Sequence, residues 1–561
     1  MVEKRTSKRF RLLPLLLATC MLLMLTGCPA SDEPAESSQD DRVLDENGVY
    51  ATGYPIVSEP LTLSVLTYDF NNGFKPEDTA LMQELEEKTG IHLEWTVTTG
   101  YAAANLQAAY ASGDLPDIMT GFYCDIAYQW PYIQEGMVLQ LDEWLPTYAP
   151  HITAMFAEEP YAKYASTALD GKLYSLPNVI SSTKSQSSMG MLINTKWLNT
   201  LGLSMPTTTT ELTAVLRAFK KGDPNGNGKA DEIPMLLHTD LPQQMYSWFG
   251  VSYSSEFPMY LQADGTAAYA PLSEGYKNTL KYAASLANEG LLDTTFIGTD
   301  DPTGYSAVLN AAVETVGVVG GWNVTDSMMD STRQLEDYAY LPPLSAEGAT
   351  YADGRTGYAS VWSDKTLISA KCKNPVAAIR LLDFFYSDEG AMWLSWGPPG
   401  EDRAWYEDAN GNYVKTLENC PANKTMSSWI NTLTVGQCLP VYMSKRMDTK
   451  IIENTSLASY QVTQRDSIEY TETVRKYASA QVPGLRYDED ALLFIQAQGR
   501  VIRDPMENYR RAVVKGETNI DATWQTYVSE TNTNGAKKYA EYVTDTYALF
   551  KQWMSENAPA Q

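Results

Sequence analysis

Residues 61–119 read LTLSVLTYDFNNGFKPEDTALMQELEEKTGIHLEWTVTTGYAAANLQAAYASGDLPDIM and carry the clearest structural pattern in the chain. Apolar side chains occupy every second position over 61–65, where Thr67 continues the series, and over 91–97, which is the period of a half-buried strand. Over 81–85 and 102–110 they recur at helical spacing. The stretch therefore predicts a strand, a helix, a second strand and a second helix in succession.

Cap and turn residues mark the ends of these elements. Asp78 stands where a helix cap is expected, and Gly90 where the helix should stop. A third strand opens at 117–119. Strands that alternate with helices predict a mostly parallel α/β sheet, whose ligands bind beyond the carboxyl ends of the strands. In this stretch those ends are 68–70 and 122–125.

The α/β pattern starts again at 191–194, which is followed by a predicted helix over 209–220. The glycine cluster 317–321 lacks the lysine of a phosphate loop and is typical of a strand that ends in a loop. The remaining periodic segments predict helices over 274–289, 375–396, 502–514 and 536–556.

The N-terminus has the features of an export signal. Five basic residues within 4–11 precede an apolar run over 12–25. The run ends in Leu-Thr-Gly-Cys, which resembles the bacterial lipobox, so residues 1–28 are predicted to be a lipoprotein signal with Cys28 as the acylated residue. A plain secretion signal is the alternative. Residues 29–57 are predicted to be a flexible tether, because their first part is rich in Ser, Asp, Glu and Pro.

Charge and cysteine content narrow the function further. The 561-residue chain has a formal net charge of -27, which argues against nucleic acid or anionic lipid as the main partner. Apart from Cys20 and Cys28, the cysteines have no metal-binding spacing. Cys420 and Cys438 are the nearest pair for a disulfide, and free buried thiols are the alternative. These remaining cysteines are Cys124, Cys372, Cys420 and Cys438.

Several phrases together resemble the extracellular solute-binding proteins of ABC importers, which include maltose- and alginate-oligosaccharide-binding proteins. They are ASGDLPDI at 111–118, DGKLYSLP at 170–177, NTKWL at 194–198 and NPVAA at 374–378. The resemblance implies a periplasmic-binding-protein-like α/β fold with two lobes, a hinge and a ligand cleft between the lobes. It divides the chain into an N-terminal lobe of 58–180 plus 361–425 and a C-terminal lobe of 181–360 plus 426–561.

Together with the lipobox, the resemblance implies a lipid-anchored monomer on the outer face of the cell membrane. Such a protein captures a solute, here an oligosaccharide, and passes it to an ABC permease in the membrane. A binding protein for a peptide, an amino-acid derivative or a polyamine is the alternative, as is a sensory adaptor that feeds a membrane kinase. A surface glycoside hydrolase is a further alternative.

One local motif stands out, the sequence DPNGNGKADE at 223–232. Oxygen-bearing side chains at positions 1, 3, 5 and 9, with a glycine at position 6, form the opening of an EF-hand calcium loop. Pro234 replaces the usual glutamate at position 12, and some members of the resembling family use the carboxylate directly after position 9. The predicted structural Ca²⁺ site comprises Asp223, Asn225, Asn227, Lys229 through its carbonyl, Asp231 and Glu232. A metal-free turn is the alternative.

Catalytic motifs are absent from the sequence, so we predict that the chain is not an enzyme. It has three histidines and no HExxH, GxSxG, Walker or dinucleotide-binding motif. The neighbouring acids Glu401 and Asp402 suit a glycosidase only if their spacing across a sugar is right, which a sequence does not show.

Aromatic residues are the more informative candidates for ligand contact. A sugar ring presents an apolar face that stacks on aromatic rings and a rim of hydroxyls that bind polar groups. Trp322 and Trp362 are the leading candidates, because each lies near a strand end or a lobe crossing. The complete set of predicted ligand-binding residues is Tyr68, Asp69, Tyr123, Asp125, Trp248, Trp322, Trp362, Trp396 and Trp405.

Overall fold

The computed structural model describes residues 42–558 except for several short segments. Residues 1–41, which include the predicted signal and Cys28, lie outside the described part. Within the described part, no helix is long and apolar enough to cross a membrane. The internal segments outside the description are 70–74, 100–101, 123–125, 183–189, 255–256, 321–328, 353–357, 425, 454–456 and most positions between 459 and 480.

The first lobe is built on a six-stranded sheet. Its strands are β1 (Leu61–Tyr68), β2 (Ile91–Thr98), β3 (Ile118–Thr120), β4 (Ser175–Ile180), β12 (Ser360–Ile368) and β15 (Tyr442–Met443). They lie in the order β15-β4-β12-β3-β1-β2. β1 is parallel to β2 and β3, whereas β12 is antiparallel to both of its neighbours, β3 and β4. The predicted α/β pattern is confirmed, and one strand from late in the chain completes the sheet.

Ten helices among the described residues pack in this lobe and bury a large apolar core. α1 is capped by Thr79, whose hydroxyl accepts from the Met82 amide, and not by the predicted Asp78. The predicted helix 375–396 is two helices, because the Ser387 side chain caps the second one. The ten helices are α1 (Ala80–Thr89), α2 (Ala102–Ser112), α3 (Ile126–Gln134), α4 (Leu145–Tyr148), α5 (Pro150–Glu158), α6 (Pro160–Ser166), α13 (Pro375–Phe384), α14 (Asp388–Trp396), α15 (Met426–Leu433) and α16 (Met447–Lys450).

The second lobe has its own five-stranded sheet and a separate core. Its strands are β5 (Met191–Asn194), β6 (Ile233–Leu237), β9 (Leu292–Asp293), β10 (Val316–Gly320) and β11 (Tyr338–Tyr340), in the order β11-β5-β10-β6-β9. Its described helices are α7 (Thr195–Thr200), α8 (Thr209–Gly222), α9 (Gln243–Trp248), α10 (Glu274–Asn288), α11 (Pro302–Leu309), α12 (Ser331–Asp337), α17 (Glu489–Val514), α18 (Ile520–Thr533) and α19 (Ala536–Asn557).

Two small sheets complete the described structure. β7 (Met259–Leu261) and β8 (Ala267–Tyr269) form a hairpin beside α19 in the second lobe. β13 (Trp405–Glu407), β14 (Tyr413–Lys415) and β16 (Ile451–Glu453) form a three-stranded sheet on the first lobe. The described single-turn 3₁₀ helices are Pro76–Asp78, Ala270–Leu272, Leu417–Asn419 and Gly436–Cys438.

The structure moves two of the predicted domain boundaries. Val49, Ile56 and Val57 are buried in the first core, so the folded body begins before residue 58 and the predicted tether of 29–57 is too long. The predicted lobe boundary at 425 is also wrong. β15 joins the first sheet and residues up to Ile451 pack in its core, so the third crossing between the sheets follows β16.

Helix α19 packs on both lobes. Its first half contributes to a cluster with the β7–β8 hairpin, whereas Phe550 in its second half packs against the first lobe. We call the rings of Tyr161, Tyr164, Tyr358 and Phe550 the aromatic joint. The Phe550 centroid lies 4.8 Å from that of Tyr164, 5.5 Å from that of Tyr358 and 6.0 Å from that of Tyr161. The joint fastens the last described helix of the second lobe to helix α6 of the first.

Candidate ligand cleft and calcium loop

The carboxyl ends of β1 and β3 place several predicted residues at one edge of the first sheet. Leu66 of β1 pairs with Met119 of β3, so Tyr68 and Asp69 lie beside the end of β3. Tyr68 is half-buried and Asp69 is buried. The segment 123–125, with the predicted residues Tyr123 and Asp125, follows directly but lies outside the described residues, as does Trp322 after β10.

Trp362 is the most accessible of the described candidates. It sits on β12 opposite Asn178, with 42% of its surface exposed. The pairing of β12 with β4 is interrupted between Trp362 and Thr366, which is where a β-bulge re-aims side chains. The bulge lies at the same edge as Tyr68 and Asp69, because Thr366 pairs with Thr120 at the end of β3. The structure therefore brings three of the predicted residues to one edge.

Lys365 lies in this bulge and was not among the predicted residues. Its side chain is buried, and burial lowers its pKa to about 7. The adjacent Thr120 hydroxyl contacts the Thr366 hydroxyl and donates to the Cys438 carbonyl, each at 2.6 Å. No local pattern singles out Lys365, because β12 (SVWSDKTLI) contains other polar residues and the position of Lys365 at the sheet edge depends on the long-range pairing of β12.

Two of the predicted tryptophans belong to the protein core and are corrections. Trp248 is fully buried in the second core, with its ring 6.4 Å from that of Tyr282. Trp405 is buried in the first core, where its indole nitrogen donates to the Gly397 carbonyl at 2.7 Å. Neither ring presents a surface to a ligand, so the prediction of ligand contact is wrong for both.

Trp396 is half-buried at the end of α14. The Lys415 ammonium lies 4.1 Å from the Trp396 ring centroid and 3.5 Å from a Glu453 carboxylate oxygen. One face of this indole is therefore occupied by a cation–π contact within the first lobe.

The cysteines described by the structure are free thiols. Cys438 is buried, which raises the pKa of its thiol to about 11, and burial raises the pKa of Cys372 to about 12. Cys420 is also free, so the possible Cys420–Cys438 disulfide is not formed in this structure. High thiol pKa values leave little reactive thiolate at neutral pH.

The second sheet presents its own edge where the chain arrives from the first lobe. Gly320, at the end of β10, pairs with Met191 at the start of β5 and with Leu237 at the end of β6. The Gln244 side chain accepts from the Met191 amide at 2.9 Å and donates to the Leu341 carbonyl at 2.7 Å. This buried glutamine fixes the ends of the two segments that lead to and from the first lobe.

The loop 223–232 adopts a tight, oxygen-rich conformation between α8 and β6. Asp223 has a left-handed φ of 45°, and the Asp223 carboxylate accepts from the amides of Asn227 at 3.1 Å and Gly228 at 3.0 Å. The side-chain nitrogens of Asn225 and Asn227 lie 3.2 and 3.0 Å from the same Asp231 oxygen. Gly228, at position 6, has a φ of 74°, as the sharp turn requires.

Glu232 gives this loop an unsatisfied acceptor. Its Oε1 atom is buried and has no hydrogen-bond partner. Burial raises the pKa of Glu232, and the neighbouring carboxylates of Asp223 and Asp231 raise it further. A divalent cation bound here would relieve both effects, so these residues fit the predicted ion. Among the described residues no cluster of three or more His, Cys, Asp or Glu side chains is suited to a metal, and this loop instead combines carboxylates with amide and carbonyl oxygens.

Comparisons with known proteins agree with this architecture. Residues 73–392 match the family model described as bacterial extracellular solute-binding protein. FusA of Streptococcus pneumoniae serotype 4, a fructooligosaccharide ABC transporter substrate-binding protein, is 27% identical over 482 residues, covering 83% of this chain and 86% of FusA. YtcQ of Bacillus subtilis strain 168, a polygalacturonan/rhamnogalacturonan-binding protein, is 26% identical over 314 residues, covering 55% of this chain and 60% of YtcQ.

Solved structures of other solute-binding proteins have the same fold. FusA in complex with kestose superposes with a TM-score of 0.73 at 25% identity, covering 88% of this chain and 99% of that one. An extracellular solute-binding protein from Bifidobacterium longum subsp. infantis shares the fold, with a TM-score of 0.76 at 24% identity and coverage of 89% and 100%. The family and these relatives are binding proteins and not enzymes, which confirms that prediction. The chain belongs to the bacterial extracellular solute-binding protein family.

Proposed function

We propose that this chain captures an oligosaccharide in the cleft between its two lobes and delivers it to an ABC permease. The exposed Trp362, at the same sheet edge as Tyr68 and Asp69, carries the proposal. An accessible indole supplies a flat apolar platform for a sugar ring, and adjacent hydroxyl and carboxylate groups bind the sugar's rim. FusA and YtcQ, which are named for carbohydrate ligands, support the same solute class.

A calorimetric titration with a panel of oligosaccharides tests this function. The native protein should bind at least one of them, and Trp362→Ala should weaken that binding by ~2–4 kcal/mol, as for an aromatic anchor. Tyr406→Ala is the matched control, because Tyr406 is 36% exposed on the small sheet of the first lobe. The control should bind as the native protein does. A panel without any binding would favour a peptide, an amino-acid derivative or a polyamine as the solute.

Calcium occupies the loop 223–232 in this proposal and stiffens the second lobe. The ligands are the side-chain oxygens of Asp223, Asn225, Asn227, Asp231 and Glu232, with the Lys229 carbonyl. The unsatisfied Glu232 oxygen supports this assignment, and so does the FusA structure described as an EF-hand mutant. The ion has a structural role, because its ligands belong to the loop itself.

Thermal unfolding with added Ca²⁺ or with a chelator tests the loop. At a Ca²⁺ concentration 100 times its dissociation constant, native stability should rise by about 2.7 kcal/mol. Glu232→Gln should reduce this gain. Asp408→Asn should retain it, because the turn at 408–412 has the same Asp-x-Asn-x-Asn spacing but carries Thr416 and Leu417 where the loop has Asp231 and Glu232. Equal melting temperatures with Ca²⁺ and chelator would contradict the assignment.

Anchoring through Cys28 completes the proposal and places a monomeric binding protein on the outer face of the cell membrane. The family match supports an extracellular location, and the B. subtilis relative LipO is described as a lipoprotein. In cells, Cys28→Ser should move the protein from the membrane fraction to the soluble fraction, because the acylated residue is lost. Light scattering should give the mass of one chain.

A further inference from the structure

A strained turn follows β6 at the carboxyl edge of the second sheet. Thr239 has a φ of 57°, which is rare for a β-branched residue and marks a conformation held by its surroundings. The His238 amide donates to the Gly320 carbonyl at 3.1 Å, and the Gly298 amide donates to the Thr239 carbonyl at 2.7 Å. These two hydrogen bonds connect the turn to β10 on one side and to the loop after β9 on the other. Asp240 is the residue that follows Thr239 in this turn.

The Asp240 side chain is partly exposed to solvent, although the surrounding protein desolvates its carboxylate. Its side chain keeps 30% of its surface open to solvent. Even so, desolvation raises its pKa despite the nearby guanidinium groups of Arg510 and Arg511, and Glu507 raises it further. A carboxylate that is partly exposed and whose pKa is raised by desolvation is a candidate for ligand contact. One Asp240 oxygen accepts from the Leu241 amide at 2.7 Å and the other from Arg510. A carboxylate has about four acceptor sites, so about two remain for a ligand.

Arg510 forms a salt bridge with this carboxylate. It lies on α17, has only 1% of its side chain exposed, and donates to Asp240 and to the Tyr253 hydroxyl. Its neighbours are the buried rings of Tyr246 and Tyr276 and the sulfur of Met506, which lies 3.7 Å from an Arg510 nitrogen. Burying a guanidinium among aromatic rings is costly unless its charge is matched, and the Asp240 carboxylate supplies that match.

We propose that Asp240 is a ligand-binding carboxylate of the second lobe, accepting hydrogen bonds from two hydroxyls of the captured sugar, and that Arg510 is its positioning residue. The inference rests on the proposed function and deepens it. Trp362 supplies an apolar platform from the first lobe, and Asp240 supplies the polar clamp from the second. A ligand that touches both groups draws the lobes together.

Calorimetry of Asp240→Asn and Asp240→Ala tests the direct contact. The probe is the oligosaccharide that binds the native protein most tightly in a panel that includes kestose. Loss of a charged hydrogen-bond acceptor should weaken binding roughly 10- to 100-fold in both variants. Asp337→Asn is the control, because Asp337 is a partly exposed acid paired with Lys196 at 3.2 Å at the opposite edge of the same sheet. Its affinity should equal the native value.

The pH dependence of binding tests the role of Arg510. Removing its charge in Arg510→Met should raise the pKa of Asp240, so the affinity of this variant should increase as pH rises from 6 to 9. Asp240→Asn should lack that dependence. Tyr253→Phe keeps the arginine and removes one of its partners, so it tests positioning if Arg510→Met does not fold, and its affinity should fall.

Native affinity in both Asp240 variants, with intact binding by the native protein, would overturn this inference and leave the proposed function standing. Failure of the native protein to bind any sugar would instead overturn the proposed function and this inference with it.

Discussion

Replacing Phe550 with alanine should uncouple the two lobes. Phe550 is fully buried, and its ring contacts Tyr161, Tyr164 and Tyr358. Truncation of a buried phenylalanine typically costs about 3–5 kcal/mol, including the cavity it leaves. Its aromatic neighbours in the joint lie on the first lobe or just before β12, while the start of α19 packs on the second lobe. Most of the loss, about 3 kcal/mol, should therefore fall on the connection between the lobes.

Urea unfolding followed by tryptophan fluorescence and by far-ultraviolet circular dichroism measures this effect. The native protein should give coincident transitions, and the Phe550→Ala transitions should separate, because two cores without coupling unfold independently. Val543→Ala is the control on the same helix, since Val543 is buried in the second-lobe cluster. It should lower stability less and keep the transitions together. A single coincident transition for Phe550→Ala, with a loss below about 1 kcal/mol, would refute the coupling role of the joint.

Three further predictions concern stability. Burial raises the pKa of Asp383 to about 7 in the folded protein, from an unfolded value near 4. Between pH 4 and pH 7 the folded state therefore binds more protons than the unfolded state. The contribution of Asp383 to stability falls as the pH rises through that range. Asp383→Asn retains an acceptor for the Ile152 amide. By urea titration it should match the stability of the native protein at pH 4 and be about 1–3 kcal/mol more stable at pH 8. A stability difference of the same size at both pH values would contradict the titration of Asp383. Gly390→Ala should prevent stable folding of the first lobe, because an added Cβ would lie 1.9 Å from the Phe384 carbonyl oxygen; a melting temperature within a few degrees of the native value would show that the backbone relaxes at this point. Thr208→Ala removes the α8 cap that accepts from the Glu211 amide at 3.1 Å and should cost about 1 kcal/mol in chemical denaturation, whereas Thr213→Ala, within the same helix, tests loss of a hydroxyl without loss of a cap.

The fold could be predicted from the sequence where periodicity is strong. The alternating residues of β1 and β2 and the helical spacing of α1 and α2 are local patterns, and the structure has elements at those places. The lobe boundary at 425 was wrong because β15 has only two residues, too few to show a period. Its place in the first sheet depends on pairing with β4, which lies far away in the sequence.

The site was harder to predict, because aromatic residues serve both cores and clefts. Trp362 and Trp405 both lie near strand starts, yet one is exposed and the other is buried. Sequence position does not separate them, since the difference is set by which neighbouring segments cover each ring. Asp240 and Arg510 are 270 positions apart and meet only in the folded chain, so no local motif joins them.

Strand β12 has a consequence for how the molecule is assembled. Ser360 pairs directly with Ile180, so β4 and β12 are antiparallel neighbours whose connecting loop is the entire segment 181–359. In topological terms, much of one lobe is an insertion in a hairpin of the other. A nascent chain that has emerged only as far as residue 180 lacks the strand that joins β3 to β4, and open strand edges invite pairing with other chains. Conversely, a turn of a few residues could replace the whole insertion and close that hairpin directly.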